Sequence, residues 1–198
     1  MTALLIALSL VPFYLLGAFP TGYLLAKTRG VDITAVGSGN VGATNVSRVL
    51  GKKAGIVTLL VDVFKGALGV AVVSGLSSSP AFVGLCSVAV VAGHCFSLPP
   101  YLKGGKGVAT ALGVILVLSA QTGLFALVVF IGMFAVKRIV SLSSISAALA
   151  VPAYAMALNL PSHVAVAEAC IAALLVYRHH DNIQRLIEGR EPKFSARN

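Results

Sequence analysis

Apolar runs long enough to cross a lipid bilayer dominate this 198-residue chain, and they exclude most of the folds a chain of this length could adopt. A hydrocarbon core of about 30 Å requires roughly 20 helical residues at about 1.5 Å each. Runs on that scale occupy 3–26, 54–76, 81–98, 139–159 and 162–177, and a longer one fills 108–136. With 58% of its residues hydrophobic and 11% charged, the chain cannot form a water-facing globule, and lipid is the solvent for most of it. The expected fold class is all-α: one polytopic integral membrane domain over 1–198.

Charge sets the number of crossings and their direction. Basic residues gather at Lys27 and Arg29, from Arg48 to Lys65, at Lys103 and Lys106, at Lys137 and Arg138, and after Tyr177. The connections at 77–80, 121–122 and 159–163 carry no Lys or Arg. The positive-inside rule assigns every basic cluster to the cytoplasmic side. For Lys106 and Lys137 to share that side, 108–136 has to cross twice, as two short helices hinged near Gln121. About seven transmembrane helices follow, with the N-terminus outside and the C-terminus inside. The first run is too long for a signal-peptide core and meets its first charge only at Lys27, so it is expected to be a retained span. Pro12, Gly17 and Pro20 are expected to bend it.

The net charge of +9 reads as topological bias and attraction to anionic membrane lipids, and no nucleic-acid partner is expected. Cys86, Cys95 and Cys170 have no CxxC spacing and read as packing residues. His94, His163 and the pair His179 and His180 fall on different segments without a carboxylate at helical ligand spacing. His163 and Glu168 are five apart, which is poor helix-face geometry, so no metal is expected.

Polar chemistry is confined to three stretches that this topology brings to one face. The first, GSGNVGATNVSR over 37–48, contains the spacing GxGxxG with Asp62 about twenty residues on. A dinucleotide fingerprint needs a preceding strand and a doubly wound sheet, and here Asp62 falls early in a span. The better reading is an anion cradle: Gly39 and its neighbours let backbone N–H groups approach an oxyanion, and Ser38, Asn40 and Thr44 add side-chain donors. Thr44 or Asn45 is expected to cap a short helix, with Arg48 about one turn inside it. The second stretch, KGGKG over 103–107, leads into an apolar helix after the stiff pair Pro99 and Pro100. It lacks the spacing of a Walker loop, yet Gly104, Gly105, Lys106 and Gly107 at a helix amino end suit a phosphate. In the third, RHHDNIQRLIEGRE over 178–191, Ile183, Leu186 and Ile187 recur at helical spacing, giving a short amphipathic helix on which His179 and Asn182 share a face. Its further bases Arg190, Lys193 and Arg197 read as headgroup contacts. Asp62 and Lys65 form a helical pair expected to brace the site, and Ser141, Ser143 and Ser144 open a later span with hydroxyls.

In order, with apolar spans between them, the three stretches resemble the motifs of the bacterial acyl-phosphate:glycerol-3-phosphate acyltransferase family, PlsY. The resemblance extends over nearly the whole chain, with DVFKG over 62–66 and SLSSI over 141–145 also similar. It implies an integral enzyme of the bacterial inner membrane, its active site facing the cytoplasm. The implied partners are acyl phosphate and glycerol 3-phosphate, joined to give lysophosphatidic acid and phosphate without a cofactor. By resemblance the active site comprises Ser38, Asn40, Thr44, Arg48, Lys106, Ser144, His179 and Asn182. The expected roles are Ser38, Thr44 and Lys106 on one phosphate, Arg48 on the other, His179 and Asn182 orienting glycerol phosphate, and Ser144 or another carbonyl-facing donor on the oxyanion. None of the four histidines has Asp five positions on, the spacing of CoA-dependent acyltransferases. The competing reading is a transporter of phosphorylated metabolites, which calls for an internal repeat with binding segments at mid-membrane. Acyl-chain preference and oligomeric state are not written in these motifs.

Overall fold

The computed structural model describes residues 3–97 and 104–194, so Pro99, Pro100, Lys103 and Arg197 lie outside the described residues. It has ten helices and no strand among them: α1 Ala3–Ala18, α2 Thr21–Lys27, α3 Ala43–Leu50, α4 Lys52–Leu76, α5 Pro80–Phe96, α6 Val108–Leu118, α7 Ala120–Lys137, α8 Val140–Ala157, α9 Ser162–Arg178 and α10 His180–Ile187. Helices stand at every position where the apolar runs called for one. Taken singly, α4, α7 and α8 are long and apolar enough to span a bilayer, and α1 with α2 meets the same requirement only as a pair, bent by 42°. The bend falls at Pro20, while Pro12 is accommodated inside α1. Outward faces are apolar, with Leu60, Phe64, Val128, Ile131 and Val166 all exposed, as lipid contact requires.

The long run over 108–136 divides into two helices as expected, the break falling at Ser119, two residues before Gln121. Ser119 is extended, and its hydroxyl accepts from the Thr122 amide at 3.4 Å, the N-cap geometry that Ser favours. Gln121 becomes part of the first turn of α7. At 11 residues α6 is about 16 Å long, roughly half a hydrocarbon thickness.

Helix packing relies on small residues, because lipid supplies no hydrophobic drive between spans. A Cβ on Gly66 of α4 would collide with the Thr110 carbonyl of α6, and one on Gly113 of α6 with the Val63 carbonyl of α4. The two backbones therefore touch in both directions. Gly17 of α1 and Gly93 of α5 make the same reciprocal contact. Cys86 and Cys95 are buried as expected of packing residues, whereas Cys170 is exposed on the outer face of α9.

Two cores result. The larger joins α4, α5, α6, α8 and α9 through residues such as Val70, Val90, Val114, Val151 and Ile171. The smaller, Ala26, Ile33, Val41, Val46 and Ala54, lies under the connection between α2 and α3 and fixes it against α3 and α4. Where α1 breaks, Lys65 Nζ donates to the freed Phe19 carbonyl at 2.9 Å and pairs with Asp62 at 2.9 Å, both side chains being buried. Thr21 donates to the same carboxylate at 3.3 Å. The expected brace is thus a clamp on the break beside the first polar stretch.

Candidate active site

In the first stretch Gly37 and Gly39 adopt φ of +63° and +66°, which strongly favours glycine and turns the chain tightly over α3. The turn is held by Asn45, whose Oδ1 accepts from the Ser38 amide at 2.9 Å and whose Nδ2 donates to the Val36 carbonyl at 3.1 Å. Asn40 Oδ1 accepts from the Gly42 amide at 2.8 Å, and the Gly39 amide donates to Val36 O at 3.0 Å. One expectation is narrowed here and one is corrected. The amides of Ser38, Gly39 and Gly42 are satisfied within the loop, so any backbone donors for a ligand come from its other amides and the first turn of α3, beside the Ser38 and Thr44 hydroxyls, the Asn40 amide nitrogen and Arg48. Neither Thr44 nor Asn45 caps the helix, because α3 begins at Ala43 with Gly42 as its N-cap, and Arg48 falls in its last turn.

The second stretch is likewise anchored by groups that its own sequence does not show. The Gly105 amide donates to the His94 carbonyl at 2.9 Å. Arg178, at the end of α9, donates through Nη2 to Gly104 O at 3.1 Å and through Nε to Gly105 O at 3.2 Å, with its guanidinium over Phe96. Gly107 has φ +80° and caps α6, and a Cβ there would lie 2.7 Å from Cys95 Sγ. With the Gly105 amide and the Gly104 and Gly105 carbonyls engaged in this way, Lys106 is the charged side chain the loop presents.

Lys106 Nζ donates to Asn182 Oδ1 on α10, and Asn182 Nδ2 donates to Glu191 Oε1 at 2.5 Å. An ammonium only donates and a carboxylate only accepts, so the Asn182 amide has one workable orientation. Glu191 also accepts from the Ser141 hydroxyl at 2.6 Å and from Arg185 Nε at 2.7 Å. Burial pushes the Glu191 carboxyl up, but these hydrogen bonds and Arg185 outweigh it and hold the group below its ordinary range. Burial takes Lys106 down to about 8 against the pull of Glu191.

His179 is buried, and burial lowers it to about 4, so the ring is neutral at pH 7. Its Nδ1 lies 2.7 Å from the Leu175 carbonyl, which can only accept, so the proton is on Nδ1 and Nε2 keeps a free lone pair. The Ser144 hydroxyl donates to Val140 O at 2.9 Å, one turn back in α8.

A single cavity of about 1230 Å³ gathers these groups. Ser38, Gly39, Asn40, Thr44, Arg48, Gly104, Lys106, Gly107, Ser144, His179 and Asn182 all line it, and of the expected residues only Gly105 does not. Sequence reasoning missed Asn45, Arg178 and Glu191, although the latter two stood inside the third stretch. The cavity continues between α6, α7 and α8 past Ala111, Ile115, Ala126, Phe130, Ala148 and Val151, where it offers only apolar surface. Basic and hydrogen-bonding groups at one end and alkyl surface at the other suit an amphiphile with an anionic head.

The family model for glycerol-3-phosphate acyltransferases matches residues 7–189. A glycerol-3-phosphate acyltransferase of Trichlorobacter lovleyi is 46% identical over 183 residues, covering 92% of this chain and 94% of that one. One of Aquifex aeolicus is 46% identical over 193 residues, covering 95% and 99%. Among solved structures, the glycerol 3-phosphate form of PlsY (YgiH), an integral membrane glycerol 3-phosphate acyltransferase, superposes with a TM-score of 0.89 at 40% identity, covering 96% of each chain. The lysophosphatidic acid form of PlsY gives 0.87 at 40% identity, covering 96% and 95%. On its sequence and on its fold, the chain belongs to the glycerol-3-phosphate acyltransferase family.

Proposed function

We propose that this chain transfers a fatty acyl group from acyl phosphate to the 1-hydroxyl of sn-glycerol 3-phosphate, giving lysophosphatidic acid and phosphate. The observation that carries this reading is the single cavity in which Arg48, Lys106, His179 and Asn182 meet an alkyl-lined slot between α6, α7 and α8. Family membership supports it and lends nothing to transport of phosphorylated metabolites.

Both substrates carry phosphate, and a phosphate monoester alone holds roughly −1.5 to −2 at pH 7. Arg48 takes one phosphate with a planar fork, while Lys106, Ser38 and Thr44 take the other. The donor is a mixed anhydride with a good leaving group, so catalysis is mostly placement and charge stabilisation. His179 Nε2 accepts a hydrogen bond from the attacking hydroxyl, and Asn182, locked between Lys106 and Glu191, fixes Lys106 beside it. The glycerol oxygen bonds to the acyl carbon, the bond from that carbon to the phosphate oxygen breaks, and the hydroxyl proton passes by way of His179 to the departing phosphate. Ser144 serves as oxyanion donor once its hydroxyl turns from Val140 O.

Residues 1–198 act as one transferase domain in this reading, with seven spans, the amino end outside and the site opening on the cytoplasmic side of the bacterial inner membrane. Its test uses detergent-purified protein with acyl phosphate and glycerol 3-phosphate. Phosphate and lysophosphatidic acid should appear in equal amounts, and acyl-CoA should not replace the donor. Robust turnover with acyl-CoA alone, or uptake of phosphorylated substrate by sealed vesicles without product, would overturn it.

A further inference from the structure

Arg48 has no carboxylate partner among the described residues; what it has is a ring, for its guanidinium carbon lies 5.9 Å over the centroid of Phe194. That ring comes from the end of the chain, beyond residue 189 where the family match stops. It is held at three points. The Phe194 amide donates to Arg138 O at 2.7 Å, in the left-handed residue that closes α7. Its ring meets Phe134 edge-on at 5.9 Å. Three residues earlier, Glu191 is tied to Ser141, Asn182 and Arg185. Residues 191–194 therefore form a strap from the Lys106 side of the cavity to the Arg48 side.

An aromatic face attracts a guanidinium without taking a carboxylate's place on its N–H donors. The contact thus restrains Arg48 without consuming the fork that grips phosphate. An ion pair would occupy that fork. A carboxylate at this place would compete with the substrate, whereas an aromatic ring does not.

We propose that Phe194 is a positioning residue for substrate phosphate, acting through Arg48, whose guanidinium its ring restrains at the cavity wall. The proposal rests on Arg48 being a phosphate ligand, as in the proposed function. The test is steady-state kinetics on folded, monodisperse Phe194→Leu, Phe194→Tyr, Phe194→Trp and Arg48→Lys, with the double variant Phe194→Leu/Arg48→Lys. Arg48→Lys identifies the substrate concerned as the one whose KM it raises. Phe194→Leu should raise the same KM about three- to tenfold with kcat within about twofold, while Tyr and Trp keep the KM low. In the Arg48→Lys background Phe194→Leu should add little, because the guanidinium that the ring restrains is gone. Should Phe194→Leu not be monodisperse, Phe194→Met takes its place. An unchanged KM in Phe194→Leu beside an impaired Arg48→Lys overturns the proposal alone, as does equal damage from Leu, Tyr and Trp or full multiplication in the double variant. Normal kinetics for Arg48→Lys and Arg48→Ala would remove the phosphate-ligand reading and this proposal with it.

Discussion

Lys106 and Asn182 are joined directly, the ammonium of the second glycine-rich loop donating to the side-chain carbonyl of α10, 76 residues further along the chain. Asn182 is at the same time fixed from behind by Glu191. The position of the cation thus depends on the helix after the last span, and the two polar stretches work as one unit.

Protonation gives that unit a pH signature. Lys106, lowered to about 8 by burial, carries its charge below that value and loses it above, so kcat/KM should fall as pH rises through about 8. His179 loses its free lone pair only as pH drops toward about 4. The second ionisation of glycerol 3-phosphate, near about 6, shapes the acid side in every variant, which leaves the alkaline limb as the diagnostic. Lys106→Arg should be slower but should lose that limb, since a guanidinium stays charged. A limb that stays near 8 in Lys106→Arg belongs to another group.

Asn45 is predicted to matter without touching substrate. Asn45→Ala removes the acceptor for the Ser38 amide and the donor for two carbonyls, leaving polar backbone unpaired at a buried site. The expected cost is about 1–3 kcal/mol of stability, seen as a lower Tm, with a raised KM from the loosened loop. Wild-type Tm and kinetics would show that the glycine turns hold without the clasp.

Membrane orientation is tested by labelling single cysteines with an impermeant reagent on a background in which Cys86, Cys95 and Cys170 are replaced. Lys52→Cys should react only from the cytoplasmic side and Gln121→Cys only from the outside. Reaction of both from one side contradicts the seven-span arrangement.

The helices and the three polar stretches were legible because both signals are local: apolar runs have a length, and glycine with polar donors has a spacing. His179 and Asn182 shared a face on spacing alone. Asn45 and Arg178 were not legible, because their partners are backbone atoms. Asn45 resembles any loop amide until the positive-φ glycines it clasps are in place, and Arg178 acts on carbonyls 73 and 74 residues away. The break expected near Gln121 falls on Ser119 itself, because capping geometry needs one residue to leave the helix and Ser supplies the acceptor. That the Gly39 and Gly105 amides are claimed within the protein was not legible either, because spacing shows only that glycine is present.

The most direct test of the account is steady-state kinetics on folded, monodisperse Lys106→Ala and Asn182→Ala, with Arg190→Ala as a control because the Arg190 side chain is exposed and pairs with the part-exposed Glu188. Loss of one charge-assisted hydrogen bond costs about 1.5–3 kcal/mol, or about 10- to 150-fold. Lys106→Ala should lose at least that much in kcat/KM for a phosphate-bearing substrate, Asn182→Ala should lose it chiefly in kcat, and Arg190→Ala should remain near wild type. Near-normal activity in both Lys106→Ala and Asn182→Ala would mean that the cavity they line is not where the acyl group is transferred.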